Sequence, residues 1–505
     1  MTTMKNRPAI PDRHADSWAG KAAPAATWRT VDTALWCYFF LPVIIFLPGF
    51  FIPALGMPVA ALALAAAIYW VPRHAAVAAA VTGREQRDIA ALGLIALLAA
   101  AWSVLGGAGH VFHANAFDWV PRFAVLRDLV VQDWPPRYLD GNGNELVLRA
   151  PLGYYLPTAL IAGGVGLAWA DSILLAWTWL GVALFFAANF AGTRGQRVAG
   201  AALFIFASGL DIVGVWAKTG MLPWPGAHLE WWAGRFQYSS TSTLLFWVPN
   251  HAFPGWIAAA WLWRFHDSPR FLVRLPILFL PVMLWSPLPA IGLLPLAVVA
   301  VSMQWRACLA SRQRLAELVK SLALVLAPAG LIAAYLLMSA ATMDFGMTDA
   351  SRPQVAGGGS SRIEDTLLFF VLEAGVFGVF ALLRERSALV LACVAVLALL
   401  PWFHFGPNND LVMRGSIPAL TIIWLVLIAE LTAEPAKRAL SQSMRAVLIF
   451  LLLLGMATPS QEVYRSLTRR HWTPDPDLSA PGAVGFAAHY FAPTRDAWLK
   501  PLFRN

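Results

Sequence analysis

The sequence has little charge and little cysteine for its length. Charged residues make up 13% of its 505 positions, against roughly 25% in soluble domains, which excludes a water-soluble globular protein. Its three cysteines, Cys37, Cys308 and Cys393, lie in or beside apolar segments without metal-ligand spacing, so neither a disulfide nor a metal cluster is indicated. No block of Lys and Arg with interleaved aromatic residues occurs, so the net charge of +9 does not indicate nucleic-acid binding.

Long apolar runs make up most of the chain. Hydrophobic residues account for 59% of positions, and a helical crossing of a bilayer needs about 20 mostly apolar residues. We therefore expect an all-α polytopic membrane protein with about 13 transmembrane helices. The expected spans are 34–53, 57–71, 89–109, 171–191, 198–216, 245–263, 274–285, 290–303, 321–342, 366–383, 388–404, 415–431 and 446–458. The prolines near Ser286 split 274–303 into either two short spans or one re-entrant hairpin.

The distribution of basic residues predicts the orientation. With a cytoplasmic N-terminus, the short inside loops and the N-terminal segment hold more than half of the 37 Lys and Arg. We then expect a cytoplasmic segment 1–33, a membrane domain 34–458 and an extracytoplasmic tail 459–505. The outer loops would be 110–170, 217–244, 343–365 and 405–414. The first apolar run lacks a cleavage signature, which favours a retained first span over a removed signal peptide. The expected location is a bacterial inner (plasma) membrane.

One apolar segment decides this topology. Residues 151–170 (PLGYYLPTALIAGGVGLAWA) are apolar enough to cross, and the loops that follow would then change sides. A cluster of three glycines at 163–166, an internal proline and paired tyrosines favour a helix lying in the outer interface instead.

The first outer loop carries the richest set of polar groups. Apolar residues at helical spacing predict an amphipathic helix over Asp118–Val131, with Arg122, Arg127 and Asp128 on its polar side. Asp118 is either the N-cap of this helix or a carboxylate held at the bilayer surface, facing a lipid-borne substrate. The preceding His110 and His113 either hold a divalent cation with Asp118 or pack at the interface.

The second outer loop supplies His228, Glu230 and Arg235 among several tryptophans. Aromatic rings at this depth either stack on sugars or form an interfacial belt. His251 follows between two prolines near a helix end and is a candidate polar group of a pocket.

A short polar loop before the span 415–431 contains Asp410 and Arg414. Their spacing of four puts both on one helix face. An arginine just outside the bilayer can bind two phosphate oxygens at once, or it can simply extend toward the interface beside a capping aspartate.

Two further features are candidates for function. Asp211 and Glu373 fall within expected spans, towards the outer side, and could line one cavity, since carboxylates inside a membrane usually carry function. The Gly/Ser-rich loop 343–365 is either a lid over a pocket or a linker.

This layout resembles the GT-C superfamily of membrane glycosyltransferases. Asp118 in FDWVPRFAVLRDL matches the acidic residue that members carry in a large outer loop. Pro151-Leu152-Gly153-Tyr154-Tyr155 is similar to the Pro-Leu-aromatic element that opens their second interfacial helix. The sequence departs from the family in having more than one span before the acidic loop and no paired-acid motif.

The resemblance implies a hexosyl- or pentosyltransferase of the cell envelope. It would take a sugar from a polyprenyl-phosphate donor and pass it to a glycan, lipid or protein acceptor at the extracytoplasmic face. Asp118 or Asp128 would be the catalytic base, and the loop arginines and histidines would bind substrate. The alternatives are a polysaccharide polymerase or ligase, and a membrane transporter or lipid flippase.

Overall fold

The computed structural model describes residues 25–71, 89–234, 236–338, 345–347, 363–406, 409–487, 489–494 and 499–504. The protein is 74% helical with almost no sheet, which confirms the expected all-α class. A buried core rich in Trp, Phe, Leu and Ala runs through the helices.

The α-helices are α1 Ala25–Phe50, α2 Pro53–Trp70, α3 Ile89–Leu105, α4 Ala116–Val131, α5 Leu156–Val165, α6 Ala170–Asn189, α7 Arg194–Ile205, α8 Asp211–Thr219, α9 Thr241–Trp247, α10 Pro249–Phe265, α11 Pro269–Trp285, α12 Pro287–Leu309, α13 Arg312–Leu337, α14 Ile363–Phe370, α15 Val376–Arg384, α16 Ala388–Leu399, α17 Asp410–Gly415, α18 Ile417–Thr432, α19 Gln442–Gly455, α20 Ala457–Thr468 and α21 Ala480–Val484. A π-helical turn, Val371–Gly375, joins α14 to α15. The strands are β1 Arg137–Leu139, β2 Glu145–Leu148, β3 Phe345–Met347, β4 Phe403–Phe405 and β5 Phe491–Pro493.

Eight helices in the described ranges are long and apolar enough to cross a membrane. They are Val31–Phe50, Pro53–Trp70, Leu167–Asn189, Pro287–Leu309, Arg312–Leu337, Ile363–Arg384, Asp410–Thr432 and Gln442–Thr468. Such helices support an integral membrane protein, and the larger count of about 13 crossings stays a prediction.

Two expected spans are interrupted. The run 198–216 is divided between α7 and α8, and the run 245–263 is divided at Val248 between α9 and α10. Side chains from α9 satisfy backbone groups at the first break, because Thr241 and Ser242 hydroxyls donate to Ile205 O at 3.0 and 2.8 Å. A broken helix needs such partners at membrane depth, where water cannot supply them.

The run 274–303 forms two packed helices, α11 and α12, which meet at the buried Ser286. Pro287 begins the second helix, where its missing N–H costs no hydrogen bond. The second helix is one of the eight long apolar helices. We call the end of the bundle at Ser286 the loop end, because the segments around α4 and α5 pack there.

The segment 151–170 contains the ten-residue helix α5 and a short 3₁₀ turn, Leu167–Trp169. Ten residues rise about 15 Å, which is half of the bilayer core. This length supports the interfacial interpretation of the segment.

The C-terminal tail folds back onto the first large loop. Strand β5 pairs antiparallel with β2, which pairs with β1, and Val147 lies opposite Ala492. Arg504 N also donates to Phe50 O at 2.9 Å. The tail is therefore part of the packed structure at the loop end.

Candidate functional site

The carboxylate of Asp118 lies in the first turn of α4 and is paired with Arg122. Asn115 is the N-cap, since its Oδ1 accepts from Phe117 N at 3.3 Å, and its Nδ2 donates to Asp118 Oδ2 at 3.0 Å. Arg122 Nη1 donates to Asp118 Oδ1 at 2.9 Å. Asp118 is thus not the cap, which leaves the interpretation of a carboxylate held at the start of an interfacial helix.

Arg122 joins α4 to α10. Its Nε donates to Asn250 Oδ1 at 3.4 Å, and its Nη1 also donates to the backbone oxygen of Asp118. Burial alone would lower the pKa of Arg122, but the neighbouring Asp118 carboxylate raises that pKa above its usual value. The guanidinium therefore remains charged where little water screens it.

A hydrogen-bonded chain continues from Asn250 into the bundle. Asn250 Nδ2 lies 3.2 Å from His251 Nε2, and His251 Nδ1 lies 2.6 Å from Ser286 Oγ. If the amide donates to Nε2, then Nδ1 carries the proton and donates to the hydroxyl. This pattern fits a neutral imidazole that fixes the orientation of the Asn250 amide.

A second carboxylate–arginine pair lies on the short helix α17. Arg414 Nη1 lies 2.5 Å from Asp410 Oδ1, and the two side chains are 19% and 17% exposed. The turn before it requires Gly406, whose φ of +76° is strained for other residues and whose added Cβ would lie 3.0 Å from Asp410 Oδ2. The spacing-based prediction that Asp410 and Arg414 share a helix face is confirmed.

Two tyrosines, Tyr155 (buried) and Tyr490 (half-buried), interact electrostatically with both arginines. Tyr155 is under the electrostatic influence of Arg122, Asp118 and Arg414. Tyr490, from the tail, is influenced by both arginines and by both carboxylates. Burial raises the pKa of Tyr490 while the two arginines oppose that shift, so its hydroxyl stays protonated.

Together these side chains form a cluster that we call the paired-arginine site. It consists of Asp118, Arg122, Tyr155, Asn250, His251, Asp410, Arg414 and Tyr490. Both arginines also act electrostatically on His251, which places that ring near both pairs.

A glycine positions Tyr155. Gly153 N donates to Leu284 O at 3.1 Å, so the chain runs directly along α11. A Cβ on Gly153 would come within 2.6 Å of the Trp285 ring. The next residue, Tyr154, is buried and hydrogen-bonded to Thr178 at 2.6 Å. The glycine thus allows a close packing that fixes the chain just before Tyr155.

Asp128 and Arg127 hold the tail in place. Asp128 is fully buried and accepts hydrogen bonds from Tyr138 Oη at 2.7 Å and from Ala480 N at 2.8 Å. Arg127 Nη1 donates to Asp128 Oδ1 at 2.9 Å, and its Nε donates to Pro476 O at 3.0 Å. Because the carboxylate is saturated by protein groups, it is poorly suited to act as a base, and Asp118 is the better candidate.

His228 and Glu230 belong to a separate buried cluster. His228 Nδ1 lies 2.8 Å from Glu462 Oε1, and Trp247 Nε1 donates to Glu462 Oε2 at 2.8 Å. Glu230 accepts from Gln237 Nε2 at 2.6 Å and from a backbone N–H at 2.8 Å. Burial raises the pKa of Glu230 to about 7, and the electrostatic interaction with His228 opposes that rise.

Asp211 and Glu373 meet in the same buried cluster, beside the break between α7 and α8. Asp211 accepts from Thr458 Oγ1 at 2.7 Å, and Glu373 accepts from Trp232 Nε1 at 2.8 Å. Asp211 and Glu373 also interact with each other. Glu373 lies in the π-helical turn, a local geometry that is frequent at functional sites.

The histidines of the first loop bind protein groups. His110 Nδ1 lies 2.7 Å from Asp171 Oδ2, and His113 Nδ1 lies 2.8 Å from Arg470 O. Within the described residues, no group of three or more His, Cys, Asp and Glu is placed to hold a metal ion. The expected site residue Arg235 and most of the loop 343–365 lie outside the described residues.

Several contributors to the site were not singled out from the sequence. Tyr490 lies more than 300 positions from Arg122, and the sequence marks Ser286 only as a break between helices. His489 also lies close, since Asp410 and Arg414 both influence it, and burial lowers its pKa. Tyr155 did carry a signal, because it ends the Pro-Leu-Gly-Tyr-Tyr element.

Comparisons with protein-family models, with curated proteins and with solved structures gave no match, so the function of this chain is inferred from its own residues and geometry.

Proposed function

We propose that the chain is a GT-C-type glycosyltransferase that transfers a sugar from a polyprenyl-phosphate donor to an acceptor at the extracytoplasmic face of a bacterial inner membrane. The observation that carries this proposal is the paired-arginine site at the loop end, in which two carboxylate–arginine pairs act electrostatically on the same two tyrosines. The long apolar helices around it support a lipid-borne donor, because the donor's tail would lie in the same bilayer.

The arginines are suited to a phosphate leaving group. Among the described residues, the hydrogen bonds of Arg122 use Nη1 and Nε, which leaves Nη2 for a phosphate oxygen. Arg414 is partly exposed beside Asp410. A guanidinium at each end of the site can neutralise the charge that develops as the bond between sugar and phosphate breaks.

Asp118 is the base of the proposed reaction. Its carboxylate takes the proton from the acceptor hydroxyl, whose oxygen then bonds to the anomeric carbon. The bond between that carbon and the phosphate oxygen breaks, and polyprenyl phosphate leaves with the electron pair. Asn115 and Arg122 orient the carboxylate for this step, because they bond to different oxygens.

An in vitro transfer assay with polyprenyl-phosphate sugars tests the proposal. Asp118→Asn keeps the shape of the side chain but removes the base, and a general base contributes about 10²- to 10⁴-fold to rate. Asp140→Asn is the matched control, because Asp140 lies in the same loop and bonds within its own turn to Asn142 and Asn144. Full activity of Asp118→Asn, with folding unchanged, would contradict the assignment.

A transporter is the second candidate, and one observation favours it. The interrupted helix between α7 and α8 lies beside Asp211 and Glu373, and transporters place broken helices and carboxylates at their binding sites. Uptake of a labelled lipid-linked sugar across liposomes, unchanged by Asp118→Asn and abolished by Glu373→Gln, would favour transport. Sugar transfer in detergent, without a second compartment, would exclude it as the main activity.

A further inference from the structure

A groove lies between three helices at the end of the bundle opposite the paired-arginine site. Its volume is about 570 Å³, and α11, α12 and α13 line it almost entirely with apolar side chains. Val298 and Trp305 line it and are 58% and 52% exposed, so the groove opens sideways, away from the core.

The direction of the helices places this groove in the bilayer half away from the loop end. Helix α11 ends at Ser286, which is bonded to His251 of the site. The groove instead uses the first part of α11, from Leu272 to Phe279, and the second part of α12, from Leu294 to Leu309. A concave apolar surface on a long membrane helix is in contact with lipid chains.

Arginines lie at the ends of the three helices that line the groove. The Arg306 guanidinium lies 5.4 Å from the ring centroid of Trp305, which lines the groove. Arg270 and Arg312 lie exposed at the first turns of α11 and α13. Two carboxylates lie nearby: Glu317 is paired with Arg274 at 3.4 Å, and Asp267 lies 3.5 Å from both Gln304 Nε2 and His266 Nε2.

We propose that this groove binds one acyl chain of an anionic phospholipid, whose phosphate lies against Arg306 and Arg312. The apolar lining accounts for the chain, and the positive rim accounts for the headgroup charge, since basic pockets between membrane helices select anionic lipids. The proposal is independent of the glycosyltransferase assignment, because it uses other residues at the other end of the bundle.

Native mass spectrometry of the full-length protein tests the fit of the chain. Phosphatidylglycerol and phosphatidylcholine are added at equal concentration to delipidated protein. Val298→Trp fills the groove and should reduce retained phosphatidylglycerol at least several-fold. Val379→Trp is the matched control, because Val379 is 55% exposed on another membrane helix. Equal retention by the two variants would overturn the site.

The charge preference is tested with the arginines. Wild-type protein should retain more phosphatidylglycerol than phosphatidylcholine and gain more thermal stability from it. Arg306→Gln combined with Arg312→Gln should abolish that preference, while Arg386→Gln, an exposed arginine between α15 and α16, should preserve it. A preference that survives the double variant, or is absent from the wild type, would refute the anionic headgroup.

Discussion

Removal of the Asp128 carboxylate should release the C-terminal tail without unfolding the membrane helices. Asp128 is fully buried and accepts from Tyr138 Oη and from Ala480 N, one group in the first loop and one in the tail. Asp128→Ala leaves both donors without their partner. Tyr138 belongs to the first loop itself, so of these two bonds the one from Ala480 N joins Asp128 to the tail. A buried donor that loses its acceptor costs about 1–3 kcal/mol, so the docked tail should lose about 1–3 kcal/mol. The loss of the bond from Arg127 to Asp128 adds less to this cost, because the Arg127 side chain is 22% exposed and can reach water.

Limited proteolysis and hydrogen exchange of the purified protein measure this release. Backbone amides of 480–494 should exchange faster in Asp128→Ala, and the tail should be cut, while the helices α10 and α18 keep their protection. Asp140→Ala is the control in the same loop, because its carboxylate bonds only within an exposed turn among the described residues. Unchanged protection of 480–494 would refute the anchoring role, and transfer activity should fall in step with release because Tyr490 leaves the site.

Three further outcomes are expected. Burial raises the pKa of Glu230 to about 7, so the folded state favours the protonated carboxyl. The resulting contribution to folding stability is complete below about pH 4.5 and is lost as pH rises through about 7. The wild-type protein should therefore lose up to about 3 kcal/mol of stability between about pH 5 and 8, and Glu230→Gln should not show this loss in thermal unfolding. Arg414→Gln should raise KM for the donor about 10- to 100-fold, in line with a charge-assisted bond of about 1.5–3 kcal/mol, whereas Arg414→Lys should recover part of the loss in a steady-state assay. Gly107→Ala should lower the melting temperature clearly, because its Cβ would overlap the buried Trp119 ring, while Gly164→Ala, with open space around it, should not.

The sequence predicted the elements whose signals are local. Apolar periodicity located the helix that spans Ala116–Val131, and spacing alone placed Asp410 beside Arg414. Glycines and a proline favoured an interfacial helix over 151–170, and the ten residues of α5 support that interpretation.

The remaining features depend on contacts between distant residues. Hydropathy cannot locate the break between α7 and α8, because the side chains that stabilise it, Thr241 and Ser242, come from another helix. The role of Asp128 was ambiguous for the same reason, since its partner Ala480 is far along the chain. Burial and pairing distinguish Asp118 from Asp128, and neither property is visible in a single sequence.

The position of Tyr490 has a consequence for the order of synthesis. Tyr490 is translated after all eight long apolar helices of the described residues. The adjacent strand β5 then pairs with β2, in a sheet begun by β1 and β2. A ribosome that stops near residue 470 would leave a product with all eight long apolar helices and both arginine pairs, but without Tyr490. Such a product would keep the long apolar helices and yet lack Tyr490, so residues after 470 are needed to complete the site.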